Sequence, residues 1–257
     1  MFAEERHRLI TEAVETHGKV SVAELSERFA ITRETVRRDL ALLETDGLLR
    51  RVHGGAVGLA AASTREQSHS DRSTLHAEAK QAIARAAQQL LPSAGGSVML
   101  DAGTTTAELA GLIAQQGGED TLMITHALPI AARISANPQL ALEFIGGRVR
   151  GLTSAATGAG TVTAYARLRA DLAFVGTNAL HADFGLSTPD PLEASVKAAM
   201  VASAQRVVVL ADATKHDELT LVQFATLDQV DTLVTDRAPT GALAAALEAA
   251  DVDVVLA

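Results

Sequence analysis

The stretch Thr32-Arg33-Glu34-Thr35-Val36-Arg37-Arg38-Asp39-Leu40 decides how the N-terminal part of this sequence folds. Val36 and Leu40 stand one helical turn apart, and Leu43 extends the same inward stripe. Arg33 and Arg37 are then stacked on the outer surface, flanked by Thr35 and Arg38. Thr32 is a good N-cap, so the spacing predicts a helix from Arg33 to about Asp46, closed by Gly47. A capped helix end is positively polarised and favours phosphate, while the forked guanidinium of arginine fits guanine edges in a major groove. Asp39 is expected to pair with a neighbouring arginine and fix its rotamer.

The flanks support this reading. Upstream, Glu4 to His17 carries Leu9, Ile10, Ala13 and Val14 at the spacing of one helical face. Lys19-Val20 reads as extended, and Ser21 with Glu24 makes a capping box for a helix bearing Val22, Leu25 and Phe29. Ala30-Ile31 reads as a tight turn. Downstream, Leu48 to Val57 reads as strand with a Gly54-Gly55 turn. Together these predict a winged helix-turn-helix over residues 1–58, whose candidate DNA contacts are Ser21, Thr32, Arg33, Thr35, Arg37, Arg38, Arg50, Arg51 and His53. The competing reading is a solvated amphipathic helix with incidental arginines. Caps, turn and wing all in order favour the DNA reader.

Residues 59–74 shift to Ala, Ser, Thr and mixed charge without periodicity, and read as a linker. Over 75–257, apolar strands alternate with helices: near Val98–Asp101, Leu122–Thr125, Leu140–Ile145, Leu172–Gly176, Val207–Ala211, Leu233–Thr235 and Val252–Leu256. That alternation predicts an α/β domain with a mostly parallel sheet covered on both faces. Ligands of such sheets bind beyond the carboxyl ends of the strands. Four such ends carry suitable groups. Asp101-Ala102-Gly103-Thr104-Thr105-Thr106 reads either as a phosphate cradle, with hydroxyls and free helix N–H groups, or as a plain strand-to-helix turn. Arg148 follows a glycine turn, Asn178 ends another strand, and Lys215 can neutralise an anion beyond a further one. Glu193 and Lys197, at i and i+4, could contact sugar hydroxyls or form a surface helix pair. His126 and His216 near strand ends read as satisfied or surface histidines.

Composition limits the function. With 47% hydrophobic residues the chain can bury a large core, while 3% aromatics argues against stacking of unpaired bases and leaves duplex DNA open. The absence of Cys excludes disulfides and thiolate metal sites, and the scattered His show no metal-ligand spacing, so neither metal nor cofactor is expected. No apolar run approaches the ~20 residues a membrane-spanning helix needs, and the N-terminus lacks signal-peptide character, which predicts a cytoplasmic protein. The net charge of −9 lies almost wholly beyond the linker, so a local arginine cluster can still hold phosphates.

The run Thr35-Val36-Arg37-Arg38-Asp39-Leu40, followed by Leu42-Leu43-Glu44, Gly47-Leu48 and Arg51-Val52-His53-Gly54-Gly55-Ala56, resembles the DeoR family of bacterial transcriptional repressors. The resemblance covers essentially the whole chain. It implies a C-terminal sensor similar to ribose-5-phosphate isomerase, with a phosphosugar carried by Asp101, Gly103, Thr104, Thr105, Thr106 and Lys215. It also implies a repressor with no catalytic residues, which binds operator DNA as a homodimer or homotetramer. The general cast resembles regulators of fructose uptake, making fructose 1-phosphate the expected effector, with lactose- or galactitol-derived phosphates as rivals. The alternative is a phosphosugar isomerase with a DNA-binding appendage. The family often has acidic residues just after the strand ending at Gly176; here Asp183 is displaced, which weakens the isomerase reading.

Overall fold

The computed structural model describes residues 3–17, 19–46, 48–52, 54–57, 66, 68–92, 95–116 and 120–257. The chain forms two compact units, residues 1–65 and 66–257.

The first unit comprises α1 (Ala3–His17), β1 (Lys19–Ser21), α2 (Val22–Phe29), α3 (Arg33–Thr45), β2 (Arg50–Val52) and β3 (Gly55–Val57). Both expected caps are present. Ser21 and Glu24 form the reciprocal capping box, and Thr32 Oγ1 accepts from the Thr35 amide. Ala30 makes the turn between α2 and α3 in the left-handed region, at φ 52°. Ile10, Val14, Leu25, Val36, Leu40, Leu43 and Leu49 are all essentially buried in one core, each worth roughly 1.5–3 kcal/mol of transfer free energy. The strands form an antiparallel sheet in the order β1-β3-β2. Gly55 is required where β3 passes β1, because a Cβ there would lie 2.0 Å from the Val20 carbonyl oxygen.

The second unit is built on seven parallel strands. Their order is β15 (Asp253–Leu256), β14 (Thr232–Thr235), β12 (Ala204–Leu210), β9 (Ala170–Gly176), β4 (Ser97–Leu100), β5 (Leu122–Thr125) and β6 (Ala141–Phe144). Alternation along the strands sorts the core into two faces. Met99, Ala173, Val175, Val207 and Val209 point to one, with α8 (Ala159–Tyr165), α9 (Pro191–Ala202) and α10 (Gly241–Ala249). Val98, Leu100, Leu172, Phe174, Val208 and Leu210 point to the other, with α5 (Ala77–Gln88), α6 (Thr104–Gln116) and α7 (Leu128–Ser135). Strand order runs outward in both directions from β4 and β9, so the crevice between their carboxyl ends is the topological switch point.

Three features depart from the sequence reading. A linker through residue 74 was expected, but α4 (His69–Thr74) is helical and Glu66 already belongs to the second unit. A second antiparallel sheet forms from β10 (Ala179–His181), β11 (Gly185–Thr188) and β13 (Val222–Ala225). A two-stranded ribbon, β7 (Arg148–Arg150) with β8 (Ala155–Thr157), follows β6. These strands are short and lack the apolar runs that marked the parallel sheet.

Candidate functional site

In the first unit, α3 presents Arg33, Arg37 and Arg38 as exposed side chains, opposite buried Val36 and Leu40. Arg33 and Arg38 make no ion pair or hydrogen bond among the described residues, and Arg37 lies 3.5 Å from exposed Glu34, a contact of little worth in water. Thr32 is exposed and Thr35 half-buried; their hydroxyls are 2.9 Å apart and serve the cap. The Ser21 hydroxyl is likewise committed to its capping box. Arg51 is exposed on β2, and its amide donates to Glu44. The backbone of Arg50 lies in β2; its side chain, and His53 as a whole, lie outside the described residues.

Asp39 does not pair with an arginine of its own helix. Arg6 of α1 donates to it through Nε at 2.6 Å and Nη2 at 3.0 Å, and His7 Nε2 lies 2.9 Å away. On α3 Arg33, Arg37 and Arg38 project outward, whereas Asp39 turns toward α1. The pair therefore docks α1 on α3 and leaves the surface arginines free.

In the second unit, the switch crevice holds a buried charge cluster. Asp101, fully buried at the end of β4, accepts from the Gly176 amide at 2.9 Å and from the Lys197 ammonium. Lys197 also donates to the Gly176 carbonyl at 2.8 Å and lies over the Phe224 ring. Burial alone would raise the Asp101 pKa, but Lys197, His126 and the Gly176 amide together hold it below the ordinary carboxylate value. Asp101 Oδ1 has no hydrogen-bond partner among the described residues, and His126 Nε2 is 3.9 Å from it. Burial lowers the His126 pKa to about 4, so its ring is neutral, with Nδ1 3.0 Å from the Tyr165 hydroxyl.

Asp101 is thus an internal anchor more than a ligand-facing group, and Thr106 is similar. The Thr106 hydroxyl lies within hydrogen-bond distance of the Asp101 and Gly103 carbonyls and accepts from the Gly103 amide. Gly103 is needed here, because a Cβ would come within 2.9 Å of that hydroxyl. Thr104 and Thr105 differ. Their hydroxyls make no hydrogen bond among the described residues, and they stand in the first turn of α6, where backbone N–H groups lack intrahelical acceptors.

The remaining sequence candidates divide. Lys215 lies in the 3-10 turn after β12, where its amide donates to the Asp212 carbonyl at 3.0 Å, and its ammonium makes neither hydrogen bond nor close ion pair among the described residues. Asn178 accepts from the Thr188 hydroxyl at 3.0 Å. Arg148 is exposed on β7, in the two-stranded ribbon outside the parallel sheet, and its side chain makes no hydrogen bond or ion pair among the described residues. Glu193 and Lys197 are no surface pair: both are buried on the inner side of α9 with separate partners. Glu193 accepts from Arg150 at 3.1 Å and from Thr153, while Arg150 also reaches Asp190 and Glu66. Asp183, the one acid available to an isomerase reading, is exposed in the turn between β10 and β11.

One buried charge escaped the sequence reading. Lys80 on α5 is 5% exposed, and its ammonium donates to the Arg72 and Leu75 carbonyls. Burial lowers its pKa to about 8; nearby Asp212 opposes the shift, and the positive charges of Lys215 and Arg72 add to it. Its spacing with Ile83, Ala84 and Ala87 on one helical face was the available signal.

A winged helix-turn-helix joined to an α/β unit with polar groups at its switch point is the architecture of a transcription regulator with its own sensor. Residues 6–61 match the DeoR-like helix-turn-helix domain, and residues 75–237 match the DeoR C terminal sensor domain. The HTH-type transcriptional regulator GlpR of Haloferax volcanii is 38% identical over 237 residues, which cover 92% of this chain and 91% of that protein. The glycerol-3-phosphate regulon repressor of Escherichia coli is 28% identical over 235 residues, covering 91% of each. Among solved structures, ribose 5-phosphate isomerase a from Methanocaldococcus jannaschii aligns over 53% of each chain at a TM-score of 0.39 and 17% identity. The chain belongs to the DeoR family of transcriptional regulators. Relatives named as transcriptional regulators, together with the helix-turn-helix domain, point to a regulator that is not an enzyme. No helix among the described residues is long and apolar enough to cross a membrane.

Proposed function

We propose that this chain is a repressor of sugar-metabolism genes that holds operator DNA through α3 and the wing, and releases it when a phosphorylated sugar occupies the switch crevice. The observation that carries the effector reading is the set of uncommitted groups there. The Thr104 and Thr105 hydroxyls and the amides of residues 104–106 have no partners among the described residues, and Lys215 supplies a positive charge without a hydrogen bond, in the field of Asp212 and Glu218. A phosphate needs such donors. The glycerol-3-phosphate regulon repressor among the relatives points toward the same ligand class. Fructose 1-phosphate is the proposed effector, with lactose- and galactitol-derived phosphates as its rivals.

On the DNA side, Arg33, Arg37, Arg38 and Arg51 are the proposed contacts, with Arg50 and His53 of the wing. A two-fold operator would call for a homodimer or homotetramer, and a DNA partner supports a cytoplasmic location. The test is a thermal-shift screen of phosphosugars on the full chain, repeated with its promoter DNA. Stabilisation by a phosphosugar, together with weaker DNA binding in its presence, is the expected result. Operator affinity indifferent to every phosphosugar tried would overturn the sensor reading.

A further inference from the structure

The parallel sheet ends on β15, which pairs with β14 alone and leaves its outer edge open. The Asp253 and Ala257 amides donate to the Asp231 and Thr235 carbonyls at 3.0 Å each. Backbone groups alternate in direction along a strand, so the N–H and C=O of Val254 and Leu256 point outward. Little guards this edge. It holds neither proline nor lysine, and its outward positions carry Val254 and Leu256, which are 41% and 58% exposed. At the opposite end of the sheet, β6 carries exposed Glu143 within the strand, a charge of the kind that keeps edges from pairing.

Beside the open edge runs α10. A groove of about 410 Å³ between the two is lined by Ala238, Pro239, Ala244, Leu247, Val252 and Val254. The nine residues of α10 include one charge, Glu248, and expose Ala242, Ala245 and Ala249 opposite buried Leu243 and Leu247. A helix that faces water carries a charged stripe on its outer side, and an apolar one is covered.

The strand that fits this edge is β15 itself. Antiparallel pairing about a two-fold axis through Val255 sets Val254 opposite Leu256 of the second copy, and Leu256 opposite its Val254. Both are outward-bonding positions, so each such pair exchanges both of its N–H···O bonds. Side chains two apart share a face, so these apolar groups of the two copies meet on the α10 side of the sheet, where Val254 lines the groove. Charge fits the same arrangement. Exposed Asp251 and Asp253 stand at the start of β15, and exposed Arg237 follows the far end of β14. The two-fold axis turns one copy end for end, so Arg237 of each approaches the acidic end of the other.

We infer that β15 and α10 form a self-association surface whose occupant is a second copy of this chain, paired edge to edge so that two parallel sheets become one. The surface rests on the homo-oligomer reading above, to which it adds place and register, and it does not depend on the effector.

The experiment is sedimentation velocity of the full chain over a concentration series. The unaltered protein should form a dimer or a larger even-numbered oligomer. Val254→Pro removes an outward amide without taking a bond from β14, and Leu256→Lys sets a charge at the pairing position. Each should give the half-sized species, or a dissociation constant raised at least about tenfold, with unchanged circular dichroism and urea midpoint. Leu256→Lys carries the test alone if proline disturbs the fold. Arg237→Asp should weaken association, and adding Asp253→Arg should recover more than Asp253→Arg gains in the unaltered chain. A cycle without such coupling overturns the antiparallel register. A stable oligomer indifferent to both edge variants overturns the surface alone and leaves the edge to an extended strand of another protein. A monomer at every concentration overturns the surface and the homo-oligomer reading together.

Discussion

Lys197 on α9 and Asp101 at the tip of β4 are bound to each other inside the protein across 96 residues of sequence. Gly176 closes the triangle by donating its amide to Asp101 and accepting from Lys197 with its carbonyl. The cluster thereby ties the ends of β4 and β9 together at the point where strand order reverses. Lys197→Met would leave a carboxylate buried with one amide and a neutral histidine. Removal of one partner from a buried pair costs roughly 3–5 kcal/mol, and urea denaturation should show a loss of that order. A loss near zero would mean that water enters and solvates Asp101.

His126 gives the fold a pH dependence with a definite sign. Burial depresses its folded pKa from 6.5 to about 4, against the pull of Asp101. The unfolded chain therefore takes up the proton first as pH falls. Stability from this residue is complete above pH 6.5, declines through the window down to about 4, and then levels off. The contribution is at most about 3 kcal/mol, because one pKa unit corresponds to about 1.4 kcal/mol. Urea midpoints taken between pH 7 and 4.5 should fall less steeply in His126→Gln. Equal slopes in the two proteins would show that His126 is protonated in the folded state.

Within the first unit, the Arg6–Asp39 pair sets how α1 supports α3. Its members are nearly buried, so Asp39→Asn should cost about 3 kcal/mol as the arginine loses its charged partner. Asp39 points away from the arginine surface, so weaker operator binding in this variant would arise from a displaced α3. Differential scanning calorimetry with a DNA-binding isotherm separates the two effects. Unchanged melting would remove the pair's structural role.

Arg37 tests the recognition surface directly. Arg37→Ala should lose roughly 1–3 kcal/mol of discrimination between operator and unrelated duplex if the guanidinium reads a base edge. A uniform weakening on every duplex, with a shallower salt dependence, would instead make it a phosphate contact. Because Arg37 is exposed and its one ion pair is with exposed Glu34, neither result would be confounded by unfolding.

What sequence revealed was local. The caps at Ser21 and Thr32 and the stripe Val36, Leu40, Leu43 are set within a few residues, and the structure has them as read. The parallel strands were legible as apolar runs between helices. Tertiary pairings were not. Asp39 finds Arg6 at a separation of 33, and Asp101 finds Lys197 at 96, distances that no helical period spans. A finer reading could have caught part of this. Glu193, Val196, Lys197, Met200 and Val201 share one buried face of α9, so a charge at that spacing should have been read as buried and paired. The linker reading erred for a related reason: α4 is one short helix with little apolar pattern, held through its own Arg72 by Glu66 and Lys80 from outside itself.

Thr104, Thr105 and Lys215 are where the effector hypothesis is most exposed to experiment. Thr106 and Gly103 hold the turn through bonds to one another, so substitutions there would disturb the fold and say little about binding. Thr104→Val removes a hydroxyl with no hydrogen-bond partner among the described residues, so folding stability should change by less than about 1 kcal/mol, whereas Lys215→Ala also removes the charge that offsets the burial of Asp212 and should cost more. Isothermal titration with fructose 1-phosphate should show the loss: a missing hydroxyl donor weakens binding about tenfold, and a missing ammonium weakens it more, since hydrogen bonds to charged groups are worth about 1.5–3 kcal/mol. DNA binding without ligand should be unchanged in both variants, because neither residue belongs to the first unit. If both variants bind the phosphosugar as tightly as the parent, the anion lies elsewhere and the crevice between β4 and β9 is a structural knot only.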